Sequence, residues 1–406
     1  MKEYCFNRAV NYIAKHNQLF LWSFALFGIL LRVLFIFIWD GRTTPDSFNY
    51  IAQAEAILNG NPVSSFPNGY PMLIVLTILI GGKSLLYFLL IAINFIAQIL
   101  SGVILYKTAM EIGRSFYVLS LFNNKFKITL EVFSRLFALA VLFLFAIYPT
   151  QIYFTNMVLT ESITTLFLTL TVYLFISKKY FTSGIALAVA AAVRTTFLPA
   201  LLLIFMFLFL NEKSGLKKFT LGAGLIILFL GVLNFIGITK FPVNQSYNLL
   251  IAINGMSSSI NHDLRNFTSE EIKQPAKTYI NFAFNKPVEF TKQRLNAFYE
   301  LWGPYPFEIK NKFIKIIFGI RFGLFLSWII SLILLLKKCI RNRNVLLVSY
   351  LMTTSVFILV STIIHSVYFS SFRFIVPIEP VMIPMLLLSA FFYLDKLPFA
   401  KSTEIS

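Results

Sequence analysis

Apolar runs of about 20 residues, enough to cross a hydrocarbon core as a helix, recur along the chain and are separated by short basic segments. The pattern predicts an all-α polytopic membrane protein of about ten transmembrane helices in one domain over residues 1–406. A first span is expected over Leu19–Trp39. Lys2, Arg8 and Lys15 precede it, and no small-residue cleavage site follows Trp39-Asp40, so it reads as a retained span with a cytoplasmic N-terminus. The first outer loop, Asp40–Gly69, holds a short helix over Ser47–Asn59, started by Pro45-Asp46 and stopped at Gly60. Its Phe48, Ile51, Ala52, Ile57 and Leu58 suit an amphipathic helix lying on the membrane.

Pro71–Ile80 is apolar but too short to span. Further spans are expected over Ser84–Lys107, Val132–Tyr148, Glu161–Ser177, Phe219–Ile238, Phe313–Leu336, Val345–Ile364 and Phe374–Leu394. Phe181–Leu210 has one polar interruption, Arg194-Thr195-Thr196. Lysines flank both of its ends, so it reads as a hairpin of two helices whose ends share the cytoplasmic side. Thr239–Asn311, with charges of mixed sign, reads as one large water-exposed outer loop.

Composition sharpens this picture. The chain is 58% hydrophobic and 13% charged, far from a soluble domain. Its net charge of +18 sits mostly in the short inter-span segments, as the positive-inside pattern requires, and not on one face as a nucleic-acid site would. Cys5 and Cys339 form no CxxC motif, and no HExxH, His/Cys cluster, GxGxxG or Walker-type loop occurs. No cofactor is indicated, and neither is a metal site or direct use of nucleotides.

Acidic residues are scarce, which makes their positions informative. Asp40, Asp46, Glu55, Glu161 and Glu379 fall near the expected outer face, where ionisable groups at membrane depth are costly. Asp46 suits a helix N-cap and equally a general base beside a lipid-borne donor. Asp40 reads as an interfacial anchor. Glu161 opens a span, where an acid complements the helix dipole. It could also orient an acceptor or pair with Arg194. Arg194, Arg373 and Arg321 could bind a lipid phosphate bidentately or snorkel to headgroups, and Arg321 fits snorkelling better. Arg32 and Arg135 suit the bundle or its inner interface.

Several segments together carry a resemblance. They are Pro45-Asp46-Ser47-Phe48-Asn49-Tyr50, Asn68-Gly69-Tyr70-Pro71, Leu159-Thr160-Glu161, Gly184 through Arg194-Thr195, Ser246-Tyr247-Asn248-Leu249 and Arg373-Phe374-Ile375-Val376-Pro377-Ile378-Glu379-Pro380. In order, spacing and expected sidedness the chain resembles the GT-C class of membrane glycosyltransferases. The likeness is to bacterial relatives of protein O-mannosyltransferases and of the lipid A aminoarabinose transferase. The paired acids of the mannosyltransferases are single here, since Ser47 follows Asp46. The resemblance implies a transferase that takes a sugar from a polyprenyl-phosphate donor to a lipid, glycan or protein acceptor at the outer leaflet. Asp46 would be the catalytic residue, and Glu161, Arg194, Arg373, Tyr70, Tyr247 and Asn248 would bind substrate. A lipid-linked glycan polymerase or ligase, or a transporter or flippase, are the competing readings.

Overall fold

The computed structural model describes residues 2–38, 43–63, 66–119, 128–240, 247–253, 267–303, 312–367 and 372–396. All regular structure among them is helical. A surface helix, α1 (Lys2–Lys15), precedes α2 (Asn17–Ile38), and α3 (Pro45–Leu58) and α4 (Gly69–Gly81) follow. Next come α5 (Leu86–Leu119), α6 (Leu130–Ala146), α7 (Pro149–Thr155), α8 (Glu161–Ile176), α9 (Tyr180–Val193), α10 (Leu198–Asn211) and α11 (Lys213–Phe235). The described residues of the large loop form four helices, α12 (Tyr247–Ile253), α13 (Ser269–Lys273), α14 (Pro275–Asn285) and α15 (Pro287–Trp302). The chain continues with α16 (Lys312–Ser331), α17 (Lys337–Arg341), α18 (Val345–Val367) and α19 (Glu379–Lys396).

A helix stands at each of the ten expected places, but their lengths differ from the expectation. Among the described residues five are long and apolar enough to cross a membrane: α2, α5, α11, the helical run containing α16, and α18. The bent pair α6–α7 makes a sixth. The apolar helices α4, α8, α9, α10 and α19 are shorter. The bend in the sixth has a local cause. Pro149 lacks the N–H that would continue α6, and Tyr148 before it is extended, so α7 leaves at 53° to α6. The hairpin expected over Phe181–Leu210 is present, broken at Arg194.

The bundle packs α5 against α6 and α8, α9 against α8 and α11, and α16 against α19. At Gly184 and Gly222 the backbones of α9 and α11 touch. A Cβ on Gly184 would stand 2.2 Å from the Phe219 carbonyl oxygen, so neither position has room for a side chain. The surface of α2 and α11 is apolar, with Phe37, Ile38, Leu228 and Phe235 exposed, as lipid-facing helices require.

Polar side chains run through the interior. Arg32 donates to the carbonyls of Gly28 (2.9 Å) and Ala146 (3.1 Å), which ties α2 to the end of α6. Gln98 donates to Gln151 (2.9 Å), which in turn donates to the Val376 carbonyl (2.8 Å). Arg321 and Glu379 are fully buried and paired at 2.5 Å, with Thr150 donating to the other carboxylate oxygen at 2.5 Å. Arg321 was expected to snorkel, and the pairing corrects that reading: Glu379 lies in the core and draws the guanidinium inward. Removing one partner of such a pair leaves a buried charge, at a cost of about 3–5 kcal/mol, whereas removing both is far milder. Arg321→Met should therefore lose much of its monodisperse population on heating in detergent. Adding Glu379→Gln should recover most of it, and equal losses in the single and double variants would contradict the coupling.

Candidate functional site

Three irregular segments interrupt the helices at the same end of the bundle. They are residues 156–160 before α8, residues 194–197 between α9 and α10, and residues 372–378 before α19. Backbone groups freed at membrane depth need partners within the protein. Ser47 donates to the Val158 carbonyl (2.8 Å), Asn94 to the Met157 carbonyl (2.7 Å) and Gln151 to the Val376 carbonyl. These bonds hold the irregular segments and the side chains they present.

Helix α3 crosses this end. Its cap is Thr44, whose hydroxyl accepts from the Ser47 N–H (3.3 Å) while the Ser47 hydroxyl accepts from the Thr44 N–H (2.9 Å). Asp46, proposed from sequence as a possible cap, is in the first turn but does not cap, so its carboxylate is available for other work. The buried face of α3 is Ser47, Tyr50, Gln53 and Ala54, turned into the bundle, while Phe48 is exposed. The expected apolar membrane face is thus only partly present. Gln53 pairs its amide with both backbone groups of Phe66 (2.9 Å each) and donates to Asn68 (3.0 Å), fixing the approach to α4. Gly69 lets that approach close on α9: a Cβ there would meet the Ala192 carbonyl at 2.6 Å, two residues before Arg194.

Asp46 pairs with Arg373, 327 positions away in sequence, and Arg194 pairs with Glu161 at 3.4 Å. The outer pair reaches solvent, with Asp46 24% and Arg373 23% exposed. The inner pair is enclosed, with Arg194 11% and Glu161 1% exposed. Phe374 joins the two pairs: its ring centroid lies 5.2 Å from the Arg194 guanidinium and 5.4 Å from that of Arg373. His365 stacks on the same ring at 4.1 Å, and its Nε2 lies 3.5 Å from the Thr196 hydroxyl. Tyr50 faces all four charges. Burial pushes its phenol up to about 12, Asp46 adds to the rise and Arg373 opposes it, so the group stays neutral and protonated. Tyr70, under Tyr50 with ring centroids 5.2 Å apart, is 1% exposed and within electrostatic reach of Glu161.

Of the residues expected at the site, Asp46, Glu161, Arg194, Arg373 and Tyr70 converge. Tyr247 and Asn248 open α12, but their side chains lie outside the described residues, as does Asp40. Sequence reasoning missed Tyr50 and His365 as contributors and passed over Arg294. That arginine donates from α15 to the carbonyls of Ser366 (2.9 Å), Val367 (2.7 Å) and Ala252 (2.6 Å), fastening the loop helices over the end of α18. Its place between two aromatic positions, Phe290 and Phe298, was the available signal. Among the described residues no group of His, Cys, Asp and Glu could hold a metal ion. Comparison with models of known protein families, with curated proteins and with solved structures finds no match.

Ser47 serves both the cap and the bond to Val158. Losing a cap and a buried hydrogen bond costs about 1–2 kcal/mol, or roughly tenfold in a local opening equilibrium. Ser47→Ala should therefore speed amide exchange of residues 47–50 by about that factor, with no change in α18. Unchanged exchange in α3 would show that the anchor is not Ser47.

Proposed function

We propose that this chain is a membrane glycosyltransferase of about ten spans whose site faces the outer side. It moves a sugar from a polyprenyl-phosphate donor to a lipid, glycan or protein acceptor, in a plasma or inner membrane with both termini cytoplasmic. The observation that carries the reading is the meeting of Asp46, Glu161, Arg194 and Arg373 at one end of an apolar bundle. The inner pair adds little to stability. Two opposite charges at 3.4 Å attract by about 5 kcal/mol at an effective dielectric of about 20. Burying each ion costs several kcal/mol, so the pair about breaks even.

A phosphodiester brings one negative charge and suits a guanidinium bidentately. On donor binding Arg373 turns from Asp46 to the phosphate, which leaves the Asp46 carboxylate without its counter-ion at the mouth of the site. The acceptor hydroxyl attacks the anomeric carbon and its proton passes to Asp46. The bond from the anomeric carbon to the phosphate oxygen breaks, and the electron pair leaves on polyprenyl phosphate, where Arg373 stabilises it. The donor is lipid-borne, so no nucleotide-binding loop is needed. A polymerase or ligase would share this donor chemistry and differ only in acceptor. A carrier built on repeats would place its helix breaks in matched halves, and the breaks at 156–160, 194–197 and 372–378 are not so arranged.

Asp46→Asn preserves shape and leaves the Thr44–Ser47 cap intact. Membrane levels should match the parent while transfer falls by roughly 100-fold or more, the scale of a lost general base. Glu55→Gln, which breaks only the exposed pair with Lys83, should transfer normally. Parental activity in Asp46→Asn would sink the base assignment. Arg373→Ala should weaken donor use strongly and Arg373→Lys less so, because an ammonium lacks the guanidinium fork.

Sidedness has its own test. Leu295 on α15 is 63% exposed, and Asn342 lies at the far end after the basic α17. In intact cells an impermeant maleimide should label a cysteine placed at Leu295 and not one at Asn342. The reverse pattern would invert the topology.

A further inference from the structure

Behind the outer ion pair, three buried polar atoms belonging to different elements make no hydrogen bond: Glu161 Oε2, Arg194 Nη1 and the Tyr70 hydroxyl. Each carries a substantial desolvation penalty when left unmatched, and charged groups carry the larger one. Unmatched atoms also occur on Asn156 and Ser366 at this end, while Gln151 donates and accepts, Ser47 is doubly used and Asn94 reaches the Met157 carbonyl. What sets the three apart is that they meet at one ion pair: two are its own free atoms, and Tyr70 lies within electrostatic reach of Glu161. They include an acceptor that cannot donate, a donor that cannot accept and a phenol that can do either.

We infer that Glu161, Arg194 and Tyr70 form a recognition subsite for the transferred sugar itself, selecting an uncharged sugar with neighbouring hydroxyls. The inference rests on the transferase reading and deepens it. A hydroxyl donates to Glu161 Oε2 while accepting from Arg194 Nη1, and the hydroxyl beside it pairs with Tyr70. The ion pair sums to zero charge and stays bonded at Glu161 Oε1, so neither member needs a charged ligand. An amino sugar or a uronic acid would bring a net charge into an enclosed subsite whose own two charges already cancel, and the desolvation of that extra charge would go uncompensated. The two arginines thereby divide the donor: Arg373, at the solvent-reaching pair, takes the phosphate, and Arg194, at the enclosed pair, reads the sugar. This replaces the sequence-based expectation that either arginine could serve the phosphate.

The division is testable by binding alone. The full chain in nanodiscs would be titrated with polyprenyl phosphate and with polyprenyl-phosphate glucose, galactose, mannose, glucosamine and glucuronic acid. The parent should bind at least one neutral-sugar lipid about tenfold or more tightly than bare polyprenyl phosphate, and the glucosamine and glucuronic acid lipids no better than the bare one. Tyr70→Phe should lose most of that sugar-dependent gain while binding bare polyprenyl phosphate within about twofold of the parent, which also certifies that it is folded. Glu161→Gln should lose the gain as well, with its bare-lipid binding rising because Arg194 is left without its counter-ion. Tyr70→Phe removes a single oxygen and serves should Glu161→Gln fail to fold. If the parent binds no lipid phosphate, the transferase reading itself falls. If it binds them but gains nothing from a sugar, prefers a charged sugar, or keeps its gain in both variants, the subsite is overturned while the transferase reading stands.

Discussion

The structure depends on satisfying backbone polar groups where helices stop inside an apolar bundle. A helix that ends within hydrocarbon frees N–H and C=O groups that water cannot reach, and each unmatched one is expensive. Gln151 is the centre of the answer here. It accepts from Gln98, donates to the Val376 carbonyl and has Thr165 at 3.5 Å, so one amide links α5, α7, α8 and the segment before α19. Ser47 and Asn94 treat other carbonyls of these segments in the same way. With the breaks held, the side chains at their tips are held too, and Glu161, Arg194 and Arg373 sit on those tips.

Two buried ion pairs in the same bundle illustrate different solutions. Arg321 and Glu379 are fully enclosed, bonded at 2.5 Å, and Thr150 serves the second carboxylate oxygen. That pair joins α16 to α19 and offers nothing to solvent. Glu161 and Arg194 are held more loosely, at 3.4 Å, with one carboxylate oxygen left unmatched where Glu379 has both oxygens bonded, and they lie behind a second pair that reaches solvent. An interior built only for stability would tighten or delete such a pair. Its looseness is what the proposed sugar subsite rests on, whereas the Arg321 pair is tight and enclosed, as a structural pair would be.

The sequence periodicity shows the helices because each must present apolar surface along its length, and lysines at both ends of Phe181–Leu210 reveal that this stretch folds back at Arg194. The bend of α6 into α7 is written in Pro149, but its consequence, a short buried helix with an irregular return to Glu161, is not, since it needs Asn94 and Ser47 from elsewhere to be affordable. Pairings are the least legible. Nothing local tells Asp46 that its partner is Arg373, and nothing local tells Arg321 that Glu379 stands in the core. Both facts depend on which helices neighbour each other. The length of the short helices was also hidden, because hydropathy reports apolar content and not where a helix begins to bend.

The same logic explains why the loop helices belong to the site. The end of α18 leaves carbonyls at Ser366 and Val367 beside His365, which stacks on Phe374. Arg294 and the Tyr279 hydroxyl supply donors to these carbonyls, and Trp302 donates to Thr362 one turn below. A guanidinium is suited to this position because its fork reaches carbonyls of two helices, α12 and α18, at once. By closing the end of α18, α14 and α15 fix the ring that carries both site guanidiniums. The large loop therefore does more than cover the bundle: through His365 and Phe374 it bears on the arginine that, in the proposed reaction, turns from Asp46 toward the phosphate.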